Sequence, residues 1–341
     1  MKMKTLFKAS ALIITAAFAG PVQADLLRGE TNVPGSGAYL GMVGFANVVQ
    51  KHTNHSIEVS AGIPVTRSMV NLSKGDIDFS NLVYFQIDSM RAGKGPFAKL
   101  SDASELAENM RFIIGHPSGA YHIVTFADSG ITSLDDIKGK RVYSGPKGVA
   151  MRANGEALIL GETGYVAGEE YEILDLDLKG GEQAFKDGHV DVWIRPAPMG
   201  GALIEQMGVS RDIRLLGMTD KAQADPEIQR LANLPGRGFE IIEPDVYTGQ
   251  VNEEPVTTFG FWLGVGAHKD VSADIVYDMT KAVYENLEEY KATSKSLFGS
   301  LTRENAFQHM NAPLHLGAYR YLTEIGVAVP EALIPPEATG N

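Results

Sequence analysis

The run 128–148, DSGITSLDDIKGKRVYSGPKG, constrains the fold of this chain most, because it delivers a short helix straight into a buried strand and then a glycine-bearing loop. Ser133 is placed to cap a helix whose third following residue is Asp136. Leu134 and Ile137 share one face, and Gly139 supplies a left-handed stop. Positions 141–144 are extended. The loop Ser144-Gly145-Pro146-Lys147-Gly148 then opens a helical stretch over 149–160, so its backbone N–H groups point at whatever lies beyond the strand end. That is ligand-binding architecture.

The same alphabet recurs along the chain. A strand at 26–31 leads through a glycine-rich loop into an apolar-periodic helix ending near 50, and a strand at 57–61, a helix at 68–72 and a strand at 77–83 follow. Such units pack as a parallel sheet covered by helices. Strands are expected at 111–115 and 121–126 on either side of a His116-Pro117-Ser118-Gly119 turn, with a new unit beginning near there. Then come an extended 172–176, a helix at 180–186, and a strand at 189–194 ended by Arg195-Pro196-Ala197-Pro198. The pattern weakens over 220–249. The strongly apolar 257–265 is expected to cross back between two lobes, 272–290 is an amphipathic helix, and the residues from 330 onward are expected to be a tail. The fold class is α/β, with lobe 1 at 25–120 plus 250–341 and lobe 2 at 121–249.

The first 24 positions carry Lys2, Lys4 and Lys8, an apolar run over 9–19, and Val22-Gln23-Ala24 before Asp25, which predicts a secretory signal cleaved after Ala24. The apolar run is shorter than the roughly 20 residues a spanning helix needs, so no direct membrane insertion is expected. With no Cys there is neither a lipid anchor nor a disulfide, and core burial has to hold the fold. The chain has 30 basic and 42 acidic residues, a net −12; without the three leader lysines the balance is 27 against 42, or −15. Such a surface repels nucleic acid and anionic lipid, yet a cleft's local donors still decide whether a small anion binds.

Catalytic signatures are missing. There is no His-Glu-x-x-His, no Gly-x-Ser-x-Gly, no Walker loop and no cysteine nucleophile. The glycines at 35, 37 and 41 make G-x-G-x-x-x-G, one residue too long for a dinucleotide fingerprint. His52 and His55 are expected on a solvated turn rather than a metal, Asp175 and Asp177 lack the glycine of a calcium loop, and Trp193 and Trp262 read as core. The expectation is a binding protein without cofactor, not an enzyme.

Several motifs resemble the TAXI class of substrate-binding subunits of TRAP (tripartite ATP-independent periplasmic) transporters, over nearly all of the chain after the leader. They are Gly35-Ser36-Gly37-Ala38-Tyr39-Leu40-Gly41, Ser73-Lys74-Gly75-Asp76-Ile77-Asp78-Phe79 and Gln86-Ile87-Asp88. To these are added Asp128-Ser129-Gly130-Ile131 with Ser133-Leu134 and Lys138-Gly139-Lys140-Arg141-Val142, and His315-Leu316-Gly317-Ala318-Tyr319-Arg320-Tyr321. The family usually has Pro where Leu316 stands. Where it writes Thr-Gly-Gly-Ser, this chain has Gly62-Ile63-Pro64-Val65, and where it writes Gly-Ser-Gly-Thr, this chain has Lys147-Gly148-Val149-Ala150. Both loops belong to the family's ligand pocket, so the ligand's identity does not carry over. The resemblance implies a two-lobed periplasmic binding protein of type II, each lobe a sheet flanked by helices, joined by hinge strands. It also implies a monomer in the periplasm that hands a small organic anion to TRAP membrane subunits.

In such a fold the ligand lies between the lobes at strand ends. Ser36 and Gly37 precede a helix N-terminus, whose use is either anion binding or a tight turn for packing. Tyr39 is a pocket wall or a helix–sheet filler. Arg67 is available to grip a carboxylate through two parallel bonds, or is a solvated arginine on a first helical turn. Tyr84 and Gln86 offer a hydroxyl and an amide to a ligand, or to the neighbouring backbone. Ser144, Lys147, Gly148, Val149 and Ala150 form the loop of the second lobe, Arg195 ends a strand facing the cleft, and Thr258 opens the return crossing. The rival functions are a binding module of an ABC importer or a sensor, and a periplasmic hydrolase or lyase.

Overall fold

The structure, a computed structural model, describes residues 26–339; the expected leader lies outside the described residues. The chain begins β1 (Leu26–Glu30), α1 (Gly37–His52), β2 (Ser56–Ser60), α2 (Val65–Ser73), β3 (Phe79–Leu82), α3 (Tyr84–Arg91) and α4 (Ala103–Ala107), and then enters the long strand β4 (Met110–Phe126). The second set is β5 (Arg141–Tyr143), α5 (Ala150–Thr163), β6 (Glu172–Ile173), α6 (Leu178–Lys186), β7 (Val192–Ala197), α7 (Ala202–Ser210), β8 (Ile213–Leu216), α8 (Asp220–Gln223), α9 (Pro226–Ala232) and β9 (Arg237–Ile242). A second long strand, β10 (Val256–His268), is followed by α10 (Ala273–Glu285), α11 (Leu287–Lys291), α12 (Lys295–Phe298) and α13 (Leu316–Glu324).

The fold is α/β and two-lobed. A single 10-stranded sheet runs β2-β1-β3-β10-β4-β7-β5-β6, parallel across β2-β1-β3 in one half and across β6-β5-β7 in the other, and helices flank both halves. The antiparallel strands β10 and β4 join them: β10 pairs with β3 over its last residues and with β9 over its first, while β4 pairs with β10 early and with β7 and β8 late. The two extended strands that link these halves are the hinge that the apolar run 257–265 anticipates.

Local chemistry accounts for the elements near the hinge. The expected helix after Ser133 is a 3-10 turn, Leu134–Ile137, closed by the Ser133/Asp136 capping box. Ser36 caps α1 by accepting from the Tyr39 N–H. The two glycines that follow let α1 lie directly on β4: an added Cβ would come 2.1 Å from the Ser118 carbonyl oxygen at Gly37, and 2.1 Å from His116 Nε2 at Gly41. Any side chain at either position would push the helix off the hinge strand.

Four expectations are corrected. Residues 116–119 are not a turn, because β4 runs straight through them. Phe261 pairs with Gly119 and Trp262 with Pro117, so Ser118 is the extra residue of a bulge that absorbs the missing proline N–H, and the Trp262 N–H turns instead to the Gly236 carbonyl at 2.8 Å. The stretch 220–249 is ordered into α8, α9 and β9. The helix expected at 272–290 breaks at Asn286, whose side chain donates to the Ala282 carbonyl. The tail is docked, since buried Leu333 packs in the core and Glu337 accepts 2.6 and 3.2 Å bonds from Arg111, itself only 4% exposed.

Candidate functional site

A cavity of about 580 Å³ opens where the loop before α1, the start of α2 and the start of α3 meet the two hinge strands. Its floor is aromatic. Tyr121 of β4 packs edge-on against Phe261 of β10 with ring centroids 6.0 Å apart, and Trp262 and Leu263 continue the wall. Polar groups are few: Asn32, Ser36, Thr66, Gln86, Ser118 and Arg237. From residues 121–249 the lining takes Tyr121, Pro196, Gly236 and Arg237.

The electrostatics favour an anion. Among the described residues no Asp or Glu lines the cavity, although the chain as a whole carries 42 of them. The N–H groups of Gly37 and Ala38, in the first turn of α1, find no acceptor among the described residues, and the helix dipole adds positive potential there. Arg237, half-buried at the start of β9, has no hydrogen-bonded or ion-paired side-chain partner among the described residues. The Gln86 Oε1 is buried without a donor. Together these are two backbone donors and one guanidinium around a mostly apolar space, with the Gln86 Oε1 as an acceptor beside them.

Of the residues the sequence singles out, Ser36, Gly37 and Gln86 line this cavity. Tyr39 is half-buried one turn further along α1 and lies outside the lining, and Arg67 is exposed on the first turn of α2, beside lining residues Val65 and Thr66. Tyr84 is fully buried, its ring stacked on Phe112 at 5.0 Å. Thr258 is buried too, and its Oγ1 donates to the Tyr121 carbonyl at 2.8 Å. Ser144 is buried against Gly155, where an added Cβ would come 2.8 Å from the Ser144 Cβ. Lys147, Gly148, Val149 and Ala150 line a separate hollow of about 430 Å³ at the start of α5, with Arg152. Arg195 on β7 is half-buried with its Nη1 3.7 Å from the Met151 sulfur. Asn154 of α5 donates to the Tyr121 hydroxyl at 2.8 Å, tying that helix to the hinge.

Sequence reasoning missed Arg237, Ser118, Phe85 and the aromatic floor. The one signal for Arg237 is the Pro235-Gly236 turn ahead of an extended Phe239-Glu240-Ile241-Ile242.

Beneath the hinge, fully buried His122 has its Nδ1 3.1 Å from the Ala120 carbonyl and its Nε2 2.6 Å from the Tyr247 hydroxyl, which accepts from the Gly200 N–H at 3.0 Å. This network suits a neutral ring protonated on Nδ1, and burial pushes its pKa down to about 4. Among the described residues no group of three or more His, Cys, Asp or Glu is placed to hold a metal ion; His52 pairs with Glu289 at 2.9 Å and His55 with Asp278 at 3.3 Å.

A sequence model described as the NMT1-like family matches residues 34–326. Several solved structures are similar to the chain. A TctC solute binding protein from Polaromonas is 13% identical, covering 79% of this chain and 87% of its own, with a TM-score of 0.48. The periplasmic aliphatic sulphonate binding protein SsuA from Escherichia coli is 13% identical, covering 79% and 72%, with a TM-score of 0.40. The periplasmic ectoine-binding protein of the TeaABC TRAP transporter of Halomonas elongata is 15% identical, covering 88% and 90%, with a TM-score of 0.38.

Proposed function

The chain belongs to the NMT1-like family, and from that premise we propose that it is a periplasmic solute-binding protein that captures a small organic anion, a carboxylate, between its lobes and delivers it to the membrane subunits of a TRAP transporter. The observation that carries this reading is the cavity at the hinge, which among the described residues has no acidic side chain in its lining and is furnished with the Gly37 and Ala38 N–H groups and an Arg237 without a side-chain partner. A carboxylate there exchanges hydration for a bidentate guanidinium contact and two backbone donors, while Tyr121, Phe261 and Trp262 cover its apolar part. Lobe 1 is 25–120 plus 250–341 and lobe 2 is 121–249. Closure about β4 and β10 brings the loop of Ser144, Lys147, Gly148, Val149 and Ala150 and Arg195 over the ligand, and docking to the transporter favours the reopened state. The protein acts as an exported monomer and does no chemistry on its cargo. Among the described residues no helix is long and apolar enough to cross a membrane.

A thermal-shift panel of dicarboxylates, 2-oxoacids and acidic amino acids against their amide or ester counterparts tests the ligand class. At a hundredfold excess over Kd a bound ligand adds about 2.7 kcal/mol, or several degrees of Tm. Stabilisation by at least one carboxylate and not by its neutral counterpart is expected. Stabilisation confined to neutral or cationic compounds would overturn the anion assignment.

A further inference from the structure

A second crevice, of about 910 Å³, adjoins the anion cavity at Trp262, the one residue that lines both. It lies between β9 with the turn after it and the segment from α12 to His309. Its charge is of the opposite kind: Glu240, Glu243 and Asp245 line it, against Lys295. Glu240 is 6% exposed, and its Oε1 accepts the Trp262 indole N–H at 2.5 Å. Its Oε2 accepts from no donor, and no basic side chain pairs with it, among the described residues. The chain is shaped to hold it there, because an added Cβ on Gly260 would come 2.0 Å from the Glu240 Cγ. Burial pushes its carboxyl above the usual carboxylate range, with the indole hydrogen bond opposing, as expected of a buried acid with no countercharge.

We propose that this crevice is a second binding site, for a small organic cation of the primary alkylammonium class. The ammonium group sits on the Glu240 Oε2 and supplies the missing countercharge, and the alkyl part lies against Trp262. Glu243 and Asp245 raise the local concentration of cations at the entrance. Because the indole is hydrogen-bonded to the carboxylate and also walls the anion cavity, it reports directly on occupancy.

The test uses the full-length protein labelled with 15N at tryptophan, which has two indole resonances, from Trp193 and Trp262. Butylammonium is titrated against 1-butanol of the same shape. The expected result is a saturable shift of the Trp262 indole with butylammonium, none with butanol, and a Trp193 resonance that stays in place in its buried strand. Glu240→Gln keeps an acceptor for the indole, identifies the Trp262 resonance by moving it, and should weaken butylammonium binding at least tenfold while leaving the carboxylate thermal shift intact. A Trp262 resonance unmoved by millimolar butylammonium, an equal response to butanol, or equal affinity in Glu240→Gln would each overturn the proposal, and none of them bears on the anion cavity.

Discussion

Replacing Arg237 by Ala is expected to lower affinity for the stabilising carboxylate by about a hundredfold or more, while the unliganded protein melts within a few degrees of wild type. Truncating one member of a buried, hydrogen-bonded charge pair costs about 2–5 kcal/mol in affinity, chiefly because the other charge is left desolvated and unpaired. Arg237 is placed for that effect: it lines the cavity, it is half-buried, and no side chain among the described residues satisfies it. With no side-chain hydrogen bond or ion pair to lose among the described residues, its removal should barely change stability. Arg237→Lys should recover part of the affinity, since an ammonium keeps the charge without the planar fork. Arg67→Ala is the internal control. Its side chain is exposed and outside the lining, so only a few-fold change is expected from screened charge. Isothermal titration of the three variants checks the ranking, and an Arg237→Ala protein that binds as tightly as wild type would remove the guanidinium from the account.

Acidification from pH 6.5 to 4.5 is expected to cost the unliganded protein more than about 10 °C of Tm. His116, His122 and His315 are each at most 1% exposed, and burial pushes each pKa down to about 4. Hydrogen bonds to backbone carbonyls oppose this at all three rings, whereas His122 accepting the Tyr247 hydroxyl and His315 accepting the Gly317 N–H favour the neutral form, and burial outweighs the opposition. An unfolded histidine takes up its proton near 6.5 and the folded one only near 4. The stabilisation is therefore whole above about pH 6.5 and is lost as pH falls toward 4, amounting to about 3 kcal/mol per ring. Three such rings rival the entire net stability of a domain, roughly 5–15 kcal/mol. The carboxylates held low, Asp191 and Glu337 among them, lose their contribution only below the usual carboxylate range, and the raised carboxyl of Glu240 works weakly the other way. Melting curves across this range should show the unfolding protein taking up more than one proton. His315→Asn, which keeps a capping acceptor, should reduce that uptake by about one. A Tm that is flat to pH 4.5 would mean the rings are hydrated and not buried as described.

Much of the fold is legible in the sequence because its signals are local. The Ser133/Asp136 capping box, the alternation of short apolar strands with glycine loops, and the apolar run that becomes β10 all act within a few residues of themselves. What is missed depends on partners far along the chain. Pro117 reads as a turn until Trp262 is set opposite it and the bulge at Ser118 takes up the mismatch. β9 looks like polar connection because it is an edge strand, with Arg237 and Ile241 not fully covered, and only its pairing with β10 defines it. Arg237 illustrates the same limit for the site. An arginine between two glycines resembles any solvated surface residue, and the antiparallel register of Gly238 with Gly260 is what carries it to the cavity. Tyr84 fails in the reverse direction: a strand-end tyrosine looks available for a ligand, but its ring is stacked on Phe112 in the core. Ser36 and Gly37 are legible since the capping serine and the helix that follows it are adjacent in sequence.

The central claim is that a small anion is held at the hinge by cationic and main-chain donors, and a crystal structure with the stabilising carboxylate bound tests it most directly. Ligand density is expected in the 580 Å³ cavity, with the carboxylate within hydrogen-bonding distance of the Arg237 guanidinium and of the Gly37 or Ala38 N–H. Density for that carboxylate in the hollow before α5, or in the acid-lined crevice beside Glu240, with the hinge cavity holding only water, would contradict it.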